Sequence, residues 1–231
     1  MALTKKLASI ADAIRGKTGK TDPLTLDQMA AEIAGIQVGQ GDNMDDMLLT
    51  GTLSGPYQNA RIESLVEYAF AGCSGLTEIS IPNVKTVGQR AFNGCSGLTE
   101  IILPEATSIG TYFVNGCSGL RKVVLPKQTR ITTEQFRGAS NNGQLIVDLH
   151  SATYFEKAPF KSSNVGVLIL RANTVVTCQT NVDDGYSPLT NGNGLGGYIF
   201  VRKVLVEDYK NATNWSAFAE KIRAIEGSEY E

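Results

Sequence analysis

A block of near-identical residues returns every 22 positions, and that interval restricts the chain to a stack of similar coils. Ala69-Phe70-Ala71-Gly72-Cys73-Ser74-Gly75-Leu76-Thr77-Glu78-Ile79 is followed by Ala91-Phe92-Asn93-Gly94-Cys95-Ser96-Gly97-Leu98-Thr99-Glu100-Ile101. Asn115-Gly116-Cys117-Ser118-Gly119-Leu120 opens a third copy, and Phe136-Arg137-Gly138-Ala139 a degraded fourth with Ala139 in the cysteine slot. Self-similarity at such a period marks a solenoid, whose units bury their apolar faces only by stacking on one another.

Each copy carries one short apolar run. Ile79-Ser80-Ile81, Ile101-Ile102-Leu103, Val123-Val124-Leu125, Leu145-Ile146-Val147 and Val167-Leu168-Ile169 hold the same interval, as do Val87, Ile109 and Ile131. The runs are too brief for helices and rich in β-branched residues, and Pro82, Pro104 and Pro126 close three of them. One strand per coil stacks into a parallel sheet. Alternation then sends Ile79, Ile101, Val123, Leu145 and Val167 inward, with Ile81, Leu103, Leu125, Val147 and Ile169 as a second inward ladder. Phe70, Phe92 and Phe136 fill the opposite wall, with Val114 in the third copy's slot. Ser80, Ile102, Val124, Ile146 and Leu168 fall on the outer face, and Phe200 continues the row. Four consecutive apolar rungs make an exposed stripe suited to another subunit, unless a segment of the same chain masks it.

The three repeat cysteines sit between Gly and Ser beside a core Phe or Val, so they read as small buried apolar groups and not as metal ligands. Cys178 lies outside the series and is expected nearer the surface.

The pattern Ala-Phe-x-Gly-Cys-Ser-Gly-Leu-Thr-x-Ile-x-Ile-Pro resembles the BspA-like (Treponema pallidum type) leucine-rich repeats over residues 51–201. The resemblance implies a binding or adhesion scaffold without specifying a ligand. Gly197-Tyr198-Ile199-Phe200-Val201 and the residues after it resemble the closing unit of these solenoids, with Arg202 where Pro is expected. Trp215, Phe218, Ile222 and Ile225 recur at helical spacing, and Thr213 or Asn214 is placed to N-cap. Residues 202–231 are therefore expected to form a helical cap with Trp215 as its lid.

At the other end, Leu3, Leu7, Ile10 and Ile14 share one helix face, and Leu26, Met29, Ile33 and Ile36 a second. Residues 1–38 thus read as a helical hairpin for attachment or oligomerisation. Its wording, Ile10-Ala11-Asp12-Ala13-Ile14-Arg15 then Leu24-Thr25-Leu26-Asp27-Gln28-Met29, resembles a module of tailed-phage structural proteins. Gly16-Lys17-Thr18 and Gly19-Lys20-Thr21 echo a P-loop end but lack its earlier glycine and strand. Residues 39–50 read as a linker, and Asp42, Asp45 and Asp46 within it lack EF-hand spacing and read as a solvated turn.

The expected architecture is mainly β: a parallel leucine-rich-repeat solenoid of 22-residue coils over 51–201, between the hairpin and the cap. His150 is the only histidine, and no triad, zinc spacing or phosphate loop can be assembled around it. Asp183 and Asp184, in a Gly/Asn-rich insertion, read as turn residues before they read as an acid–base pair. A net charge of -2 offers no nucleic-acid footprint, and no continuous apolar stretch suggests an export signal or a membrane span.

The expectation is a non-enzymatic phage virion protein, a tail-fibre or receptor-binding subunit, without cofactor or metal; the alternative is a bacterial cell-surface adhesin. Its expected partners are other virion proteins, a host-surface protein or glycan, and copies of itself, as a homotrimer. Ile102, Val124, Ile146, Leu168 and Phe200 are the candidate subunit surface; Tyr154, Phe155, Asp183, Asp184 and Tyr186 are the candidate receptor edge.

Overall fold

A computed structural model describes residues 53–139, 143–179 and 194–231. The chain divides into two units, Met1–Gly41 and Asp42–Glu231, and every described residue lies in the second. The N-terminal helix faces, the linker, Asp42, Asp45, Asp46, Asp183, Asp184 and Tyr186 lie outside the described residues.

Eight longer strands stand one to a coil on the front wall: β1 (Gly55–Gln58), β3 (Leu76–Ser80), β5 (Glu100–Ile102), β7 (Lys122–Leu125), β9 (Leu145–Leu149), β11 (Val165–Leu170), β13 (Leu195–Val201) and β14 (Ile222–Ala224). They span about seven turns of a parallel solenoid, and every recorded pairing among them is parallel. A second wall carries two-residue strands: β2 (Ser64–Leu65), β4 (Thr86–Val87), β6 (Ser108–Ile109), β8 (Arg130–Ile131), β10 (Tyr154–Phe155) and β12 (Thr177–Cys178).

Coils sit at backbone hydrogen-bonding distance at the corners as well: Phe70 N–H donates to the Ala91 carbonyl at 2.7 Å, and Gly72 N–H to the Asn93 carbonyl at 2.7 Å. Glycine is required where coils come closest. A Cβ on Gly97 would stand 2.5 Å from the Ser74 carbonyl oxygen, and one on Gly119 2.4 Å from that of Ser96.

The interior is a set of columns. Phe70 stacks on Phe92 at 5.1 Å, and the aromatic column continues through Phe113, Phe136, Phe160 and Phe155 to Trp215. Val114 takes the phenylalanine slot in the third coil as expected, and Phe113 supplies the missing ring from the slot held by Ala69 and Ala91 in the coils before it. Cys73, Cys95 and Cys117 are buried and free, and the Cys95 and Cys117 thiols donate to the Phe70 and Phe92 carbonyls of the preceding coil at 3.1 and 3.0 Å. Burial holds the Cys73 thiol above its ordinary range; a hydrogen bond with Cys117, together with burial, does the same for Cys95. Cys178 is a rung beside Phe155, only partly exposed, and burial pushes its pKa up to about 12.

In the fourth coil two amides replace apolar rungs. Gln128 and Gln135 are fully buried and bonded to each other through both amide groups at 2.8 Å. Gln128 also donates to the Arg130 carbonyl, and the Gln135 oxygen accepts from the Thr132 N–H.

The structure corrects three expectations. The first concerns register. β7 and β9 pair Val123 with Val147 and Leu125 with Leu149, so the step there is 24 residues; β9 and β11 pair Val147 with Leu168, a step of 21. Leu145 and Ile146 therefore do not continue the Val123 and Val124 rows, Leu168 points inward at 0% exposure, and Val167 and Ile169 fall on the outward side. The added length lies in sequence after Ala139, where the Cys-Ser-Gly-Leu wording of the three preceding copies ends.

The second correction concerns residues 202–231, which form a further coil. A 3-10 turn, Lys203–Leu205, precedes the short helix α1 (Val206–Asn211); a second 3-10 turn, Ser216–Lys221, leads into β14, which pairs with β13 through Ile199 and Ile222. Neither Thr213 nor Asn214 provides a side-chain cap. The β-branched Ile222 prefers the open pleat of a sheet edge to another helical turn. Trp215 is fully buried, and its Nε1–H donates to the Val176 carbonyl at 2.7 Å while the Tyr209 hydroxyl accepts from the Val176 N–H at 3.0 Å.

The third is a break in the front wall. β1 pairs with β3, and β5 with β7, but β3 and β5 share no backbone hydrogen bond. In register, Glu78 and Glu100 are successive rungs of like charge, which disfavours adjacency, whereas Glu100 and Lys122 on the next step form an ion pair at 3.0 Å.

Two outcomes follow. In the native protein Cys73, Cys95 and Cys117 should alkylate at about pH 8 at least a hundredfold more slowly than in denaturant, because stacking denies access to all three and a raised pKa leaves little thiolate on Cys73 and Cys95. Quantitative mass spectrometry reads this, and rapid labelling of all three would contradict the stacked coils. Gln135→Ala should cost about 2 kcal/mol, since it strands a buried amide. Gln128→Ala with Gln135→Phe, which copies the Ala106 and Phe113 of the preceding coil, should recover most of that loss in chemical denaturation.

Candidate recognition surface

The predicted subunit stripe does not form as one surface. Ile102 is exposed and Val124 half-buried beside it in register, but the next position of that row is Asp148, followed by Ile169, Phe200 and Arg223. Ile146 pairs with Lys122 and Val167 and belongs to a different row. Leu168 is a core residue. The chain's own tail covers the far part of the row: Phe200 packs on Tyr230 at 4.7 Å, and Arg171 bridges Asp148 at 2.9 Å to the Tyr230 carbonyl at 2.9 Å. Ile169, on the same outward side, is 2% exposed. The row therefore offers no continuous apolar stripe for an intersubunit contact.

Of the predicted receptor edge, Phe155 is a fully buried rung of the aromatic column, since alternation across the two-residue strand turns it inward. Tyr154 faces outward and is half-buried under the Arg130 guanidinium, 4.6 Å from the ring centre; Arg130 is held in turn by Glu156 at 2.6 Å. His150 stands exposed, 3.4 Å from Asp148. Among the described residues no group of three or more His, Cys, Asp or Glu is placed to hold a metal.

A second surface column emerges that the sequence reading did not single out. The residue before each Ala-Phe pair or its equivalent, namely Tyr68, Arg90, Tyr112 and Glu134, has a left-handed backbone with φ of 60°, 54°, 58° and 50°. Bulky side chains adopt this region at a cost of about 1–2 kcal/mol each. Here it turns all four outward into one column. The Arg90 guanidinium lies between two tyrosines, 4.6 Å from the Tyr112 ring and 5.7 Å from the Tyr68 ring, and donates to the Tyr68 hydroxyl at 2.9 Å. Arg137 covers Tyr112 at 5.6 Å. Glu134 accepts from Arg137 at 2.7 Å and from Lys161 at 3.1 Å. Burial alone would raise the Glu134 pKa, but these two cations outweigh it and hold the carboxyl below its ordinary range.

The column is thus three cations and one carboxylate around two tyrosines, with Arg90 lacking a carboxylate partner among the described residues. Tyr68, at 42% exposure, presents the free aromatic end. The signal was available in the sequence as Tyr68, Arg90 and Tyr112 at one repeat position; positive φ at a non-glycine residue carries no local signature.

A family model described as a BspA type leucine rich repeat region matches residues 58–180 in six copies. No curated protein matches the chain. The matched span covers more than half of the 231 residues and runs through the coils that build the two sheet walls, so the chain belongs to the BspA-type leucine-rich repeat family.

Proposed function

We propose that this protein is a non-catalytic recognition scaffold carried on a phage virion, a tail-fibre or receptor-binding subunit attached through residues 1–38. The observation that supports recognition is the Tyr68–Arg90–Tyr112 column. The left-handed backbone at this position belongs to the coil corner, since the buried Ala158 repeats it in the next coil, and the large side chains placed on it here contribute no buried apolar area to the core. Aromatic rings interleaved with arginine are the residue types that dominate binding hot spots. The balance of charge in the column favours a host-surface protein or glycan bearing negative charge. The virion assignment rests on the wording of residues 1–38, which resembles a phage structural module and would join other virion proteins. A homotrimer belongs to the same reading, with the subunit contact in that N-terminal segment.

Family membership favours a second reading, a bacterial cell-surface adhesin. The two readings part on location, and a mass-spectrometric inventory of purified virions separates them: the protein is expected among the particle components. Deleting residues 1–38 should leave the solenoid folded by circular dichroism and abolish incorporation; a truncated chain still found in particles would place the anchor elsewhere.

The column has its own test. Arg90→Asn with Tyr112→Asn should leave thermal stability unchanged or raise it by about 1 kcal/mol, since asparagine tolerates the left-handed region. Binding to isolated host cell envelopes should fall at least about tenfold, or roughly 1.4 kcal/mol. Full retention of binding in this double variant would remove the column from the recognition surface.

A further inference from the structure

The break between β3 and β5 is more than a missing ladder. It opens a groove of about 450 Å³ on the front wall, lined among others by Thr77, Glu78, Ile79, Glu100, Ile102 and Pro104. Its volume falls in the range of small-ligand sites, roughly 300–1,000 Å³.

The hydrogen-bonding direction of each strand can be followed from its other edge. Asn59 N–H donates to the Ser80 carbonyl, so Ser80 and Glu78 aim their backbone groups at β1, and Ile79 between them aims its N–H and C=O into the groove. On the opposite bank Lys122 N–H donates to the Thr99 carbonyl and Leu103 N–H to the Val124 carbonyl. Thr99, Ile101 and Leu103 are thereby committed to β7, leaving Glu100 and Ile102 to face β3. The groove presents both donors and acceptors from Ile79, Glu100 and Ile102, with no backbone bond between Thr77–Ile81 and Thr99–Leu103 to satisfy them. The Glu78 and Glu100 carboxylates and the Thr77, Ser80 and Thr99 hydroxyls stand around these groups, and Ile79, Ile102, Pro82 and Pro104 supply an apolar floor and rim.

An added peptide strand does not fit. It would need the two banks about 9.6 Å apart, twice the interstrand spacing, whereas several Cα atoms of β3 and β5 lie within 8 Å of one another. The banks cannot spread freely, because the same two coils are tied behind them by Phe70 N–H to Ala91, Gly72 N–H to Asn93 and Gly88 N–H to Leu65, all at 2.7–2.8 Å. An anion is disfavoured by the two carboxylates. What remains is a small neutral ligand that donates and accepts hydrogen bonds along its edges and carries an apolar face.

We propose that this groove binds a short neutral oligosaccharide. Hydroxyls along the sugar edge satisfy the free backbone groups and donate to Glu78 and Glu100, and the C–H face of a ring rests on the outward Ile102 and the rim prolines Pro82 and Pro104. The site is separate from the Tyr68–Arg90–Tyr112 column and stands or falls independently of the virion reading.

The test uses the full chain, labelled with ¹⁵N and titrated with maltotriose, cellotriose and N,N′,N″-triacetylchitotriose in turn up to about 10 mM. At least one trisaccharide should shift the amides of Ile79, Glu100 and Ile102 saturably and leave those of Arg90 and Tyr112 unmoved. Glu78→Lys restores alternating charge along Glu78, Glu100 and Lys122, which should close the seam and weaken that trisaccharide at least tenfold. Ile102→Ala, at an exposed position with no core role, should weaken it severalfold while the melting curve stays in place. No saturable shift with any of the three sugars, shifts centred away from these amides, or undiminished binding in both variants would overturn the site.

Discussion

Backbone hydrogen bonds between successive coils hold the spacing of the stack, and everything else in the molecule accommodates to it. Donors on the front strands, except across the β3–β5 step, on the short strands, and at Phe70 and Gly72 of the corner find acceptors one coil away. A side chain therefore meets its own counterparts above and below. That makes the repeat self-reinforcing for apolar groups, where phenylalanine on phenylalanine and isoleucine on valine fill a column with small adjustments such as Phe113 for Val114. It also explains the half-buried glycines Gly97 and Gly119, where one methyl group would press on the preceding coil's main chain.

The same constraint is unforgiving to polarity. A buried amide can exist only if a second one faces it, which is the arrangement of Gln128 and Gln135. A carboxylate repeated in register confronts a carboxylate, and at Glu78 and Glu100 the sheet parts; where lysine follows glutamate, as at Glu100 and Lys122, it holds. Surface pairs such as Lys85 with Glu63 and Lys127 with Glu105 repeat that opposite-charge solution on the turns. Exposed pairs of this kind add little stability individually. Their role is to keep neighbouring coils from repelling one another.

Much of this was legible in the residues. The near-identical copies from Ala69 to Leu125 fixed the coil, its inward ladders and the burial of the three cysteines, because each copy testified for the others. The reading slipped where copies diverge. Leu145-Ile146-Val147 lies 22 residues after Val123-Val124-Leu125 in sequence, yet additional residues before Gly143 slide the strand so that Val147 meets Val123. An apolar triplet matches itself in several registers, so the pattern could not detect the slide. That slide hid Asp148 in the outward row, and the following 21-residue step, with its irregularity between Val165 and Val167, is what turns Leu168 into the core. The tail over Phe200 and the coil ending in Ile222–Ala224 were unreadable for another reason: they depend on contacts between segments with no shared period. Phe155 was misjudged because aromatic residues in a variable stretch resemble a binding edge until alternation is known.

The parted seam also divides the array into unequal parts. A solenoid of this kind is held as a chain of nearest-neighbour couplings, and the step between β3 and β5 keeps its coupling on the back wall and corner while losing it on the front. Coils carrying β1 and β3 are thus attached by a hinge-like line, whereas those from β5 to β14 share one continuous six-stranded sheet buttressed by Trp215 and Tyr209. Cooperativity should be concentrated on the carboxyl-terminal side. The first described coils should then fray as a separate low-energy unit, leaving the solenoid compliant at β1 and β3 and stiff from β5 onward.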